Sequence, residues 1–137
     1  MIGIITKNID FLLEQNIHQG DTCVFFDGYI PPMVADNTAK FSVSSIHDFT
    51  GIGISTCIAT TQKLIATSML SKKIYLIADP SWVNLNNFRY VDLLDIFWND
   101  EIKIVALNKE IYNIHTRMFR EPDALMEEFD AELLENI

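Results

Sequence analysis

The chain is apolar at five consecutive positions, Ile74-Tyr-Leu-Ile-Ala78, and then meets Asp79-Pro80. Alternating apolar and polar residues would mark a strand with one wet face. An unbroken branched and aromatic run marks a strand covered on both faces, the condition of a parallel sheet sandwiched between helices. Pro80 has no N–H to give a ladder, so the strand ends there. Ile2–Thr6, Thr22–Phe26 and Ile102–Leu107 have the same character, and Phe41–Ile46 reads as a further strand.

Helical periodicity falls between these runs. Asn8 is a cap for Ile9, Leu12, Leu13 and Ile17, and Gly20 ends that helix. Ser55 or Thr56 caps a helix reaching about Leu70, rich in Thr, Ser and Ala. Phe88–Trp98 places Val91, Leu94, Phe97 and Trp98 on one stripe. Asn108 caps a helix through Phe119 with Ile111, Ile114 and Met118 inward, and residues 122–135 read as an acidic amphipathic helix carrying Leu125, Phe129 and Leu133. Tyr29–Lys40, with Pro31-Pro32 and Asp36-Asn37, reads as a loop long enough to suggest function. Alternation of this kind predicts an α/β, three-layer, Rossmann-like domain: a mostly parallel sheet of about five strands with helices on both faces. The expected division is a Rossmann-like domain over 1–120 and an acidic C-terminal segment over 121–137.

At 137 residues and 49% hydrophobic composition the chain can bury a full core without staples. The net charge is −9, with seven acids between Glu121 and Glu135. Nucleic-acid affinity rests on Lys and Arg neutralising phosphates, so tight autonomous binding to DNA or RNA is not expected. No apolar run approaches the roughly 18 residues of a membrane span. The start shows no signal-peptide pattern, and Cys23 and Cys57 read as free thiols; a cytoplasmic protein is the expectation.

In open α/β sheets, ligands bind beyond the carboxyl ends of the strands. Asn8, Asp27, Asp79 and Asn108 fall there. Asn8 and Asn108 are explained as helix caps, and Asp27 before Gly28 is either a turn former or a ligand contact. Asp79 is not needed to stop its strand, because Pro80 does so; its carboxylate is a candidate general base toward a hydroxyl. His47-Asp48 is either a solvated turn or a polar contact at a sheet edge. Gly51-Ile-Gly53-Ile-Ser55-Thr56, read between a strand and a helix start, is either a tight turn or a set of backbone N–H groups for an anion. His18, His47 and His115 lie in separate elements without metal-ligand spacing, so no metal site is expected.

Three stretches, Ser44-Ser-Ile-His-Asp-Phe-Thr-Gly51, Thr61-Gln-Lys-Leu-Ile-Ala66 and Ser71-Lys-Lys-Ile-Tyr-Leu-Ile-Ala-Asp79, resemble the first domain of phage DNA glucosyltransferases of the GT-B architecture. Glu101-Ile-Lys-Ile-Val-Ala-Leu-Asn108 and its helix are similar to the last strand and helix of that domain. The resemblance implies a domain facing a hydroxyl acceptor, with Asp79 as the base and Gly51 and Gly53 in the glycine-rich loop. In that family a second domain holds the UDP-sugar; the resemblance covers about 41–120 and includes no such domain. The usual glycine-rich turn after the first strand is replaced by Thr6-Lys7-Asn8. The expectation is a non-catalytic or accessory binding protein, acting through a protein partner, a second copy of itself or a small ligand, and needing no cofactor. The alternative is half of a split glycosyltransferase whose partner chain supplies a UDP-sugar. Candidate ligand contacts are Asp27, His47, Asp48, Gly51, Gly53 and Ser55.

Overall fold

A computed structural model of the chain describes residues 1–7, 21–29, 38–79 and 89–137. The expected helix after Asn8, most of the Tyr29–Lys40 loop and the segment 80–88 lie outside the described residues. In chain order the elements are β1 (Ile2–Thr6), β2 (Thr22–Phe26), β3 (Ala39–Ser42), a 3-10 turn (Val43–Asp48), β4 (Ile52–Ser55), α1 (Ile58–Ala66), β5 (Lys72–Ile77), α2 (Tyr90–Phe97), β6 (Ile102–Ala106), α3 (Lys109–Met118), β7 (Ala124–Leu125) and α4 (Ala131–Asn136).

All strand pairings are parallel. The sheet has seven strands among the described residues, in the order β3-β2-β1-β4-β5-β6-β7, so the expected count of about five is corrected upward. Strand side chains alternate between two cores, as the pleat requires. Ile4, Val24, Phe26, Ile54, Ile74, Leu76 and Val105 point to one face, covered by the C-terminal segment through Leu134 and Phe129. Ile5, Cys23, Phe25, Tyr75, Ile77 and Ile104 point to the other, under the 3-10 turn, α1, α2 and α3. Helices on both faces make the three-layer α/β architecture, and they explain why the strand sequences are apolar at consecutive positions.

The two added strands have identifiable causes. β4 is the segment read as a glycine-bearing loop. A Cβ on Gly53 would lie 2.6 Å from the Leu64 and Leu70 methyls, so glycine there lets α1 and the chain after it sit tightly against the strand. β7 forms because Asp123 holds its segment against β6. The Asp123 carboxylate accepts the Ile104 N–H at 2.7 Å and pairs with Arg120 at 3.1 Å. The single helix expected over 122–135 is therefore replaced by β7 and a short α4, whose cap is Asp130, accepting from the Leu133 N–H at 3.1 Å.

Two further expectations are corrected. The strand expected to reach Ile46 stops at Ser42, opposite Phe26, the last residue of β2. β4 must then start at the amino edge, so Val43 and Ile46 cross the face of the sheet instead of joining it. On α2 the buried face is Leu93, Ile96 and Phe97, whereas Val91 and Trp98 are 50% and 58% exposed. Phe97 sets that phase by stacking on Tyr75, centroids 5.9 Å apart, and by meeting Phe119 at 4.3 Å. α3 begins as expected, with the Asn108 Oδ1 accepting the Ile111 N–H at 2.8 Å. Ile111 faces the core, but Met118 is 42% exposed and fully buried His115 takes the inward place.

Candidate functional site

The strand order reverses between β1 and β4, because β2 and β3 lie on one side of β1 and β4 to β7 on the other. Parallel α/β sheets open a crevice at the carboxyl ends of strands at such a reversal. Here those ends are Thr6-Lys7 after β1 and Ser55-Thr56-Cys57 after β4. The Thr56 hydroxyl lies 3.4 Å from both the Ile5 carbonyl oxygen and the Thr6 hydroxyl. Two threonine hydroxyls therefore bridge the reversal point.

A charged cluster stands beside it. Asp27, directly after β2, donates its backbone N–H to the Thr6 carbonyl at 3.0 Å. Its side chain is only 15% exposed and receives Lys63 from α1 at 3.0 Å and Lys7 from the end of β1 at 3.4 Å. Burial works to raise the Asp27 carboxyl; the Lys63 hydrogen bond and the charges of Lys7 and Lys63 outweigh it and hold the group below its ordinary range. Two lysines against one carboxylate leave the cluster one positive charge in excess among the described residues, in a chain that is strongly acidic overall.

Ser55 is buried, its hydroxyl 2.7 Å from that of Thr61, which in turn donates to the Cys57 carbonyl at 2.7 Å. Cys57 caps α1 and donates its N–H to the Thr60 hydroxyl at 3.1 Å. These bonds fasten the start of α1 to the carboxyl end of β4. Both cysteines are free thiols, Cys23 buried and Cys57 half-buried.

Asp79, two residues beyond β5, is exposed at the same edge. Its charge reaches the sheet: burial first, then the charges of Cys57 and Asp79, raise the Tyr75 phenol far above its ordinary range. The structure thus brings Asp27, Ser55 and Asp79 to one edge. His47 and Asp48, both exposed, end the 3-10 turn that has by then left that edge, and Asp48 lines a cleft at the amino ends of β1, β2 and β3. Gly51 precedes β4 at that amino end, where an added Cβ would collide with the Met1 carbonyl oxygen, and Gly53 lies inside the strand.

Lys7 and Lys63 are the residues that sequence reasoning missed. Lys7 follows a buried strand just as Asp27 does, so a comparison of strand ends would have singled it out. Lys63 carries no such signal, since only packing of α1 on the sheet aims it at Asp27. Among the described residues no group of three His, Cys, Asp or Glu side chains converges as a metal-ligand set, and no helix is long and apolar enough to cross a membrane.

The parallel sheet, its reversal between β1 and β4 and the helices on both faces define a Rossmann-like α/β domain with polar and charged residues at the carboxyl edge. Comparison of the chain with protein-family models, curated proteins and solved structures gives no match.

Proposed function

We propose that this protein is a small-ligand-binding domain that takes an anionic group, of the phosphate kind, at the carboxyl-edge crevice. The observation that carries the reading is the Lys7–Asp27–Lys63 cluster at the reversal point, with its excess positive charge. The exposed ammonium faces of the two lysines offer donors to an anion, while Asp27 fixes their positions. The start of α1 adds its dipole at the same edge, and the Thr6 and Thr56 hydroxyls supply neutral polar contacts.

The test is a titration with inorganic phosphate, UDP and UDP-glucose, followed by amide shifts in two-dimensional NMR. Shifts at Lys7, Asp27, Thr56 and Lys63 are expected, together with a loss of about tenfold or more in affinity on replacing both lysines by Ala, as charge-assisted bonds are removed. Shifts confined to other residues, or affinity indifferent to that double replacement, would sink the reading.

A second reading is favoured by the place of Asp79, exposed at the same edge. It is a split glycosyltransferase half in which Asp79 accepts the proton of an acceptor hydroxyl and a partner chain supplies the UDP-sugar. Release of UDP from UDP-glucose in the presence of a partner chain and a hydroxyl acceptor, lost in Asp79→Ala, is its required result. Turnover unchanged in Asp79→Ala refutes it.

A further inference from the structure

At the edge opposite Asp27 and Asp79, the amino ends of β1, β2 and β3 and the 3-10 turn enclose a cleft of about 320 Å³. That volume lies at the small end of the range for small-molecule sites, about 300–1,000 Å³. Buried Cys23, Phe25 and Phe49 and half-exposed Phe41 line it, together with exposed Met1, Asp21 and Asp48. The Phe25 ring centroid is 5.6 Å from that of Phe41 and 5.4 Å from that of Phe49, the first pair stacked and the second edge-on. Three aromatic rings thus share one wall of the cleft.

The ring arrangement is built into the strands. A Cβ on Gly3 of β1 would come within 2.8 Å of both the Phe25 and the Phe49 rings, so this packing requires glycine there. Burial first and the charge of Asp21 second raise the Cys23 thiol above its ordinary range. The Met1 ammonium acts in the opposite direction and lowers it, so fields of both signs reach the buried wall of the cleft. Asp21 lies 3.9 Å from the Met1 amino group, while Asp48 has no cation partner among the described residues.

An apolar cleft of this size could hold any small apolar body, but Asp48 in its lining biases the charge. An anion would meet Asp48 with like charge, and a neutral occupant would gain nothing from it. A cation gains from the Asp48 carboxylate, Asp21 being offset by the Met1 ammonium beside it, and from the negative faces of the aromatic rings. We propose that this cleft binds a small organic ammonium ion with a compact apolar body. The site is separate from the carboxyl-edge crevice and selects the opposite charge.

The probe is benzyltrimethylammonium, with benzyl alcohol as the uncharged control, titrated into the full chain and followed by amide shifts. Saturable shifts at Cys23, Phe25, Phe41 and Asp48 are expected, with a dissociation constant of about 1 mM or tighter. Benzyl alcohol should bind about tenfold more weakly, and Phe41→Ala should weaken the cation by about fivefold to tenfold through loss of one ring face. Asp48→Asn, an exposed substitution that leaves the core alone, should weaken it about threefold and flatten the salt dependence. No shifts at these residues, equal affinity for benzyl alcohol, or wild-type affinity in Asp48→Asn would each overturn the proposal.

Discussion

Arg120 ties three pieces of this fold together, and replacing it by Met should show how much they depend on it. Its Nε donates to the Phe97 carbonyl at the end of α2 at 2.6 Å, and one terminal nitrogen donates to the Ile102 carbonyl at the start of β6 at 2.9 Å. The other pairs with Asp123 at 3.1 Å, the residue that holds β7 against β6. Arg120→Met keeps the aliphatic stem and removes every donor. A hydrogen bond to a charged group is worth about 1.5–3 kcal/mol, and a buried acceptor left without a partner costs about 1–3 kcal/mol. The Arg120 side chain is 22% exposed, so water reaches some of the released carbonyls, and Asp123 keeps both the Ile104 N–H and Lys103 at 3.7 Å. A net loss of about 3 kcal/mol is therefore expected for two lost carbonyl bonds and the lost Arg120–Asp123 pair, partly offset by water and by Lys103. In a domain of this size that lowers the melting temperature by about 10 °C. Urea unfolding is the assay, with wild type, Arg120→Met and Arg120→Lys compared at one pH. Lysine retains the charge but not the planar fork that reaches two carbonyls at once, so it should restore only part of the loss. A Met variant within about 1 kcal/mol of wild type would refute the claim that the guanidinium joins α2, β6 and β7.

Other consequences can be checked on the same footing. His115 is fully buried, its Nδ1–H donates to the Arg120 carbonyl at 2.8 Å and its Nε2 has no hydrogen-bond partner. Burial holds its pKa below the ordinary 6.5 despite the opposing Arg120 carbonyl bond, and the Arg120 charge lowers it further. The unfolded chain then takes up a proton first, so this contribution to stability is complete above pH 6.5 and is lost as pH falls from there toward the lower folded value. His115→Phe should flatten the stability-against-pH curve in that window, and a slope equal to that of wild type would argue against it. Asp27 has its folded pKa depressed below 3.8, so its share of stability is present at neutral pH and lost as pH falls below 3.8 through the folded value; acid unfolding of Asp27→Asn should show a smaller slope there. Gly53→Ala forces a methyl against Leu64 and Leu70 and should cost about 1–3 kcal/mol by overpacking; an unchanged urea midpoint would mean the leucines yield freely.

Half of the candidate site was legible before any fold was known. Asp27 and Asp79 follow consecutive apolar runs, and a buried parallel strand that ends in a carboxylate places it at the carboxyl edge whatever its neighbours are. Ser55 reaches that edge too, but as the last residue of a strand whose glycines disguised it, and its hydroxyl is engaged inside the fold by Thr61. His47 and Asp48 follow a segment that looks like a strand. The 3-10 turn carries them off the carboxyl edge, because nine residues must cross two strands to begin β4. Lys7 and Lys63 escaped notice because their shared partner, Asp27, is distant from both in sequence.

What the sequence determined by itself is the class of sheet. Consecutive apolar side chains in β1, β2, β5 and β6 cannot be satisfied with one wet face, so two covering layers follow from local chemistry alone. The Asn108 cap and the start of α3 are equally local, since a side chain three residues away supplies the missing acceptor. Tertiary structure alone decided the strand order, the inclusion of β4 and β7, the buried face of α2 and the meeting of Lys7, Asp27 and Lys63. Each depends on which surfaces approach one another across the sheet. A glycine reads as a loop until a helix is seen pressing on it, and a helical lysine reads as solvated until a carboxylate at a strand end stands 3.0 Å away.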